Sequence, residues 1–274
     1  MIIGLGLFVG LILGLTGAGG AIIAVPLLIF ALNWDVARSA PVALVAVAAS
    51  AALGAVLGLR QGCVRYRAAV VMATAGALMT PLGLYLAHRA PAAPLALIFS
   101  LMLFYVAWRM FAQTRGPITQ GAESECEASP VRRQAPCQLS TTTGRFIWNA
   151  PCAKALTLSG LATGFLSGLL GVGGGFVIVP ALRHTTDLPM NAIVATSLLV
   201  VALVSSFAVA ASAYAGQMNF TVALPFAAGA LIGMWGGRLV APTLAGTTLQ
   251  RGFAALAAAV ALGLVVKTLW SSHT

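Results

Sequence analysis

Acidic side chains are nearly absent from this chain: five Asp and Glu in 274 residues, against fifteen Lys and Arg. All charged residues together make up 7% of the sequence, where an ordinary soluble domain carries roughly 25%. A water-soluble globule of this size could not cover its surface with so few polar groups. That excludes a cytosolic enzyme, a disordered protein and a secreted disulfide scaffold. Cysteine is scarce too. Cys63, Cys126, Cys137 and Cys152 form no CxxC pair and no Cys/His cluster at metal-ligand spacing, so they read as incidental thiols, and neither a metal nor a cofactor is expected.

The few acids are also in the wrong places for ion chemistry. Asp35, Glu123, Glu125, Glu127 and Asp187 all fall in loops or at segment ends, leaving no carboxylate inside an apolar stretch, where a cation site or proton relay normally places one. His88, His184 and His273 lie near segment ends as well. No nucleophile paired with a base is visible, so the chain does not read as a membrane enzyme.

What is present is apolar. Sixty per cent of residues are hydrophobic and the mean hydropathy is +0.99, the composition of a polytopic membrane protein. The formal charge of +10 would suggest nucleic acid in a soluble protein. Here the basic residues flank apolar segments, where they orient the chain and meet anionic lipid. The N-terminus is apolar from Met1 without a charged leader region, which reads as part of the mature protein rather than a cleaved signal.

A helix needs about 20 apolar residues to cross a bilayer core of about 30 Å. That ruler marks segments at 2–32, 40–59, 68–87 and 94–111, then a polar stretch, then 153–182, 192–214, 221–239 and 249–269. The chain divides into a first membrane repeat (1–112), a polar linker (113–149) and a second membrane repeat (150–274). Long unbroken apolar runs mean helices, so the expected fold class is an all-α polytopic membrane protein of two homologous four-segment halves.

The halves repeat in sequence. Residues 10–28, GLILGLTGAGGAIIAVPLL, and 164–182, GFLSGLLGVGGGFVIVPAL, align without a gap at an offset of 154, with nine of nineteen positions identical. The same offset pairs Gly62 with Gly216 and Gly83 with Gly237. Duplication of a hydrophobic half is a transporter signature. The first segment of each half is too long for one crossing, since 30 residues would span about 45 Å. Glycines interrupt each near its middle, at Gly17, Gly19 and Gly20 and at Gly171, Gly173, Gly174 and Gly175. Each glycine costs a helix about 1 kcal/mol relative to alanine, so a break is expected, with arms of about 12 residues suited to a re-entrant hairpin.

Charge placement chooses between two topologies. With straight-through segments the basic residues divide ten against five; with hairpins, three crossings per half and inverted repeats, they divide twelve against three. The positive-inside rule prefers the second. It puts the termini outside a bacterial-type inner membrane and the linker in the cytoplasm.

Non-helical backbone survives at membrane depth only when buried in protein or lining a wet cavity. A helix that restarts after a break offers free N–H groups and a positive dipole end, which attract anions. Two matched breaks, each followed by a proline (Gly20 to Pro26, Gly174 to Pro180), would make a substrate pocket without a charged side chain. The competing reading is that these glycines only allow close helix packing. Thr196 and Ser197, near the start of the following segment, are candidate donors to an oxyanion, or else bond back to their own helix. Thr16 is a weaker candidate. Arg38 and Arg183 could draw anions into a vestibule, although a role in orienting the chain is the commoner one for such arginines.

At GLTGAGGAIIAVPLL and GLLGVGGGFVIVPAL the chain resembles the sulfite exporter TauE/SafE family of membrane permeases, over both halves but not the linker. Residues 191–198, NAIVATSL, resemble the family's A-x-x-T-S-L stretch; in the first half the offset sets Val42 and Ala43 opposite Thr196 and Ser197. The resemblance implies transport of a small anion, typically sulfite, a sulfonate or sulfoacetate. The partners expected are that anion and membrane lipid, with a homo-oligomer left open. The rival reading is a non-transporting scaffold or assembly protein acting through the linker.

Overall fold

The computed structural model describes residues 1–16, 21–89, 91–113, 137, 149–186, 188, 190–216, 218–240, 252, 255 and 258–263. It is helical: α1 Ile2–Thr16, α2 Ala21–Leu32, α3 Val36–Arg60, α4 Tyr66–Arg89, α5 Ala92–Gln113, α6 Ala150–Leu170, α7 Gly175–Thr185, α8 Met190–Tyr214 and α9 Phe220–Val240. Residues 258–263, inside the last expected segment, are helical as well. Among the described residues five helices are long and apolar enough to cross a bilayer, within α3, α4, α6, α8 and α9, and shorter apolar helices occupy Ile2–Leu15, Ala21–Leu32 and Pro94–Tyr105. Large apolar side chains such as Leu78, Phe104, Trp108, Phe207 and Trp235 are exposed, as lipid-facing side chains are.

The second expected break is present. α6 stops at Leu170 because Gly171 takes the left-handed conformation (φ 70°) that commonly ends helices, its amide donating to the Ser167 carbonyl at 2.9 Å. Gly173 and Gly174 are also left-handed, at φ 70° and 68°, a region that costs other residues about 1–2 kcal/mol. The first break, Gly17, Gly19 and Gly20, lies outside the described residues.

The arms are not the equal 12-residue pieces expected. α6 runs 21 residues and α7 11. The helix starts earlier than hydropathy suggests, because Pro151 in its first turn is preset for helix and Asn149 is extended at the N-cap. The chain nonetheless doubles back. A Cβ on Gly174 would collide with the Thr163 side chain, and the Thr163 carbonyl is 2.9 Å from the same point. α7 therefore begins beside the middle of α6. At the other end the Cys137 amide donates to the Thr185 carbonyl (3.0 Å), and Cys137 is disulfide-bonded to Cys152 with Cα atoms 4.9 Å apart. The start of α6 and the end of α7 thus meet at one linker residue. At 1.5 Å per residue, the 11 residues of α7 return about the distance that α6 climbs between Cys152 and Thr163.

That disulfide corrects the reading of the cysteines as incidental thiols. Cys63 is disulfide-bonded too, and among the described residues no cysteine is free. Spacing along the chain could not show the pairing, because Cys137 and Cys152 meet only at the base of the α6–α7 hairpin.

Three close helix pairings set the rest. α3 and α8 run antiparallel: a Cβ on Gly58 would lie 2.9 Å from Ala195 Cβ, and one on Gly54 2.9 Å from Leu198 Cδ1. α1 and α9 run parallel, Gly6, Gly10 and Gly14 facing the carbonyls of Phe226, Ala230 and Met234. α6 and α4 do the same through Gly160, Gly164 and Gly168 against Met72, Gly76 and Thr80. Small residues at four-residue intervals let membrane helices approach to backbone contact, and Cα–H···O contacts add weakly to such interfaces.

Candidate functional site

The break between α6 and α7 is the candidate site. Gly171, Val172, Gly173, Gly174 and Gly175 are all buried, Gly171 against α3, Gly173 between α3 and α8, and Gly174 against α6. A Cβ on Gly171 would strike Ala40 of α3; one on Gly173 would lie 2.8 Å from Val47 Cγ1, 2.8 Å from Ser205 Oγ and 3.2 Å from Val201 Cγ1. Only hydrogen fits at these two positions. Among the described residues the amides of Val172, Gly173 and Gly174 donate to no acceptor, and the first amides bonded back into α7 are those of Val177 and Ile178, both to the Gly174 carbonyl. The N-terminus of α7 is thus a set of free donors at the positive end of a helix dipole, in apolar surroundings that strengthen electrostatic attraction.

Gly171, Gly173, Gly174 and Gly175 therefore come together as expected, while Gly17, Gly19 and Gly20 fall outside the described residues. Thr196 and Ser197 are fully buried but occupied. Ser197 Oγ donates to its own helix at Val194 O (2.8 Å), and Thr196 Oγ1 accepts from the Arg65 amide (3.1 Å). Thr196 thereby fastens the α3–α4 turn to the head of α8, where Cys63, Val64 and Ala195 pack together. The hydroxyl that meets the break is Ser205, about two turns farther along α8. Sequence reasoning passed over it; its only signal was a position in the VVALVSSF run. Arg38 and Arg183 are exposed at helix ends. Among the described residues no group of three His, Cys, Asp or Glu could hold a metal.

A family model described as "Sulfite exporter TauE/SafE" matches residues 2–264 of this chain. The chain belongs to the sulfite exporter TauE/SafE family. Two relatives, each described as "Probable membrane transporter protein" and found in the Temecula1 and 9a5c strains of Xylella fastidiosa, are 30% identical over 273 residues, covering 98% of this chain and 95% of their own length. No solved structure matches. A TauE/SafE protein is a multi-pass membrane transporter rather than an enzyme.

Proposed function

We propose that this TauE/SafE protein is an inner-membrane permease that moves a small anion, a sulfur oxyanion or organosulfonate of the sulfite and sulfoacetate kind, by alternating access between two inverted halves. The observation that carries the reading is the buried N-terminus of α7, with Gly171, Gly173, Gly174 and Gly175 aimed between α3 and α8 and uncharged walls around it. Helix N-termini of this kind hold anionic substrate groups in transporters with broken helices. On this reading Gly17, Gly19 and Gly20 form the matching break of the first half. Thr196 and Ser197 shape the site from the head of α8.

Helix pairing supports the inverted halves. Adding 154 to Gly6, Gly10 and Gly14 gives Gly160, Gly164 and Gly168; subtracting it from their partners Phe226, Ala230 and Met234 gives Met72, Gly76 and Thr80. The α1–α9 contacts thus map onto the α6–α4 contacts residue by residue. The equivalent helices α3 and α8 run antiparallel, as repeats of opposite orientation require. Val47 and Val201, also 154 apart, both touch Gly173, which supports a break close to the axis relating the halves.

The doubled-back α6–α7 pair favours three crossings per half, the arrangement in which twelve basic residues share the linker side against three opposite. The linker (113–149) is accordingly cytoplasmic and the termini are outside. The disulfides pull the other way, since such bonds persist mainly in oxidising compartments. The charge asymmetry is spread along the whole chain, whereas a cysteine pair opens or closes with redox state, so the charge count carries more weight in this reading. Purified protein in liposomes, offered sulfite, thiosulfate, sulfate, sulfoacetate, taurine and chloride, is expected to give saturable uptake of one sulfur anion. Folded protein that carries none of them would remove the anion reading.

A further inference from the structure

A buried Ser or Thr in a helix ordinarily donates to a carbonyl one turn earlier. Most here do so: Thr80 to Gly76 (2.8 Å), Ser100 to Leu97 (2.9 Å), Thr163 to Ser159 (2.7 Å) and Ser212 to Ala208 (2.8 Å). Four do not. Ser39, Ser50, Ser167 and Ser205 are each at most 1% exposed, and their hydroxyls have no partner. Arg65 Nε, at the α3–α4 turn, is the other buried side-chain atom left unpaired among the described residues. An unmatched buried hydroxyl is costly enough to need an explanation.

Ser205 touches the break itself, and Ser50, Ser39 and Ser167 each stand within one helical turn of a residue that does, in two tiers. Ser205 Oγ lies 2.8 Å from the point where a Cβ on Gly173 would stand, and Val47 Cγ1 lies 2.8 Å from that same point. Ser50 is one turn along α3 from Val47. The second tier is at Gly171, which packs on Ala40 and donates its amide to the Ser167 carbonyl; Ser39 adjoins Ala40 in sequence. Ala40 and Val47 are seven residues apart on α3, so the tiers are separated by about 10 Å. The outer tier lies toward the end of α3 remote from Cys63 and the linker.

We infer that these serines are the hydroxyl ligands of the anion path. Ser50 and Ser205 hold the oxyanion against the free amides of Gly173 and Gly174. Ser39 and Ser167 form a second station that passes it to the membrane face away from the linker. This rests on the permease reading and deepens it. It specifies a substrate bound by neutral O–H and N–H donors without a cationic side chain, a site selective enough to be entered and weak enough to be left.

The test is sulfite uptake by proteoliposomes containing the full chain, unmodified or carrying Ser50→Ala, Ser205→Ala, Ser39→Ala or Ser167→Ala, with thermal stability measured without anion. The inner-tier variants are expected to raise the half-saturation concentration about tenfold or more, the loss of one hydrogen bond to a charged ligand. The outer-tier variants are expected to lower the maximal rate several-fold at unchanged half-saturation. All four should be at least as stable as the unmodified protein, because alanine removes an unpaired buried atom. Ser50 and Ser205 stand on different helices, so failure of one variant to fold leaves the other to decide. Sulfite uptake by the unmodified protein with unchanged kinetics in the variants overturns this assignment alone. Loss of stability without a kinetic change gives the serines a packing role and also overturns it. Absence of sulfite uptake by the unmodified protein overturns the sulfite reading and this one with it, and the two failures are told apart by that first measurement.

Discussion

A Gly173→Val variant is expected to insert into the membrane and to carry no anion. Gly173 is at φ 70°, where a side chain costs about 1–2 kcal/mol. Its Cβ would lie 2.8 Å from both Ser205 Oγ and Val47 Cγ1, and overpacking of that kind adds about 1–3 kcal/mol. The sum, about 2–5 kcal/mol, corresponds to a loss of roughly thirtyfold to several thousandfold in occupancy of the native break. The added methyls would also fill the space before the free amides, removing function even where the fold survives. Gly216→Val separates strain from occlusion: Gly216 has the same φ of 70° but nothing within 4 Å of its Cβ position. That variant should transport at near the unmodified rate, with surface expression of both variants checked in parallel. Full activity in Gly173→Val would remove the break from the substrate path.

The second large effect is expected at the parallel helix pairs. A Cβ at Gly164 would fall on the Gly76 carbonyl, and one at Gly10 on the Ala230 carbonyl. The clash is with backbone, so no rotamer change relieves it; the helices must separate, and the neighbouring contacts at Gly160 and Gly168 go with them. Gly164→Leu or Gly10→Leu should therefore cost more than the usual 1–3 kcal/mol of overpacking, a large part of the 5–15 kcal/mol that stabilises a typical protein. The expected readout is loss of the monodisperse peak on size exclusion in detergent. Gly4→Leu and Gly236→Leu, on α1 and α9 but with nothing within 4 Å, should purify normally. Normal behaviour of Gly164→Leu would mean that α4 and α6 do not pack through this stripe.

Much of this architecture is legible in the chain itself. Hydropathy placed the apolar segments, and the cluster Gly171–Gly175 marked the break because several weak helix formers in succession cannot be neutral. The length of α6 was missed mainly because the glycine cluster was expected to split its apolar segment evenly, whereas it lies toward the C-terminal end of that segment, and Pro151 starts the helix three residues early. The glycine stripes at 6, 10, 14 and at 160, 164, 168 are visible in the sequence, but four-residue spacing alone does not show which helix face packs until the partner helices α9 and α4 are known. Ser205 was beyond reach for another reason. Ser205 and Ser206 are neighbours of the same type, and only the rotation of α8 shows that Ser206 is exposed and bonds to Ala202 while Ser205 is buried against Gly173. The Cys137–Cys152 pair likewise needed the hairpin before its two halves could meet.

The inverted arrangement of the halves is tested most directly by the sidedness of two equivalent turns. Gln61 and Ala215, 154 residues apart, are both exposed just beyond the ends of α3 and α8. Single cysteines at these positions, in a chain whose four native cysteines are serine, can be offered a membrane-impermeant maleimide on intact cells and again on opened membranes. The account predicts that Ala215→Cys labels on intact cells and that Gln61→Cys labels only after opening. Labelling of both positions from the same side would contradict it.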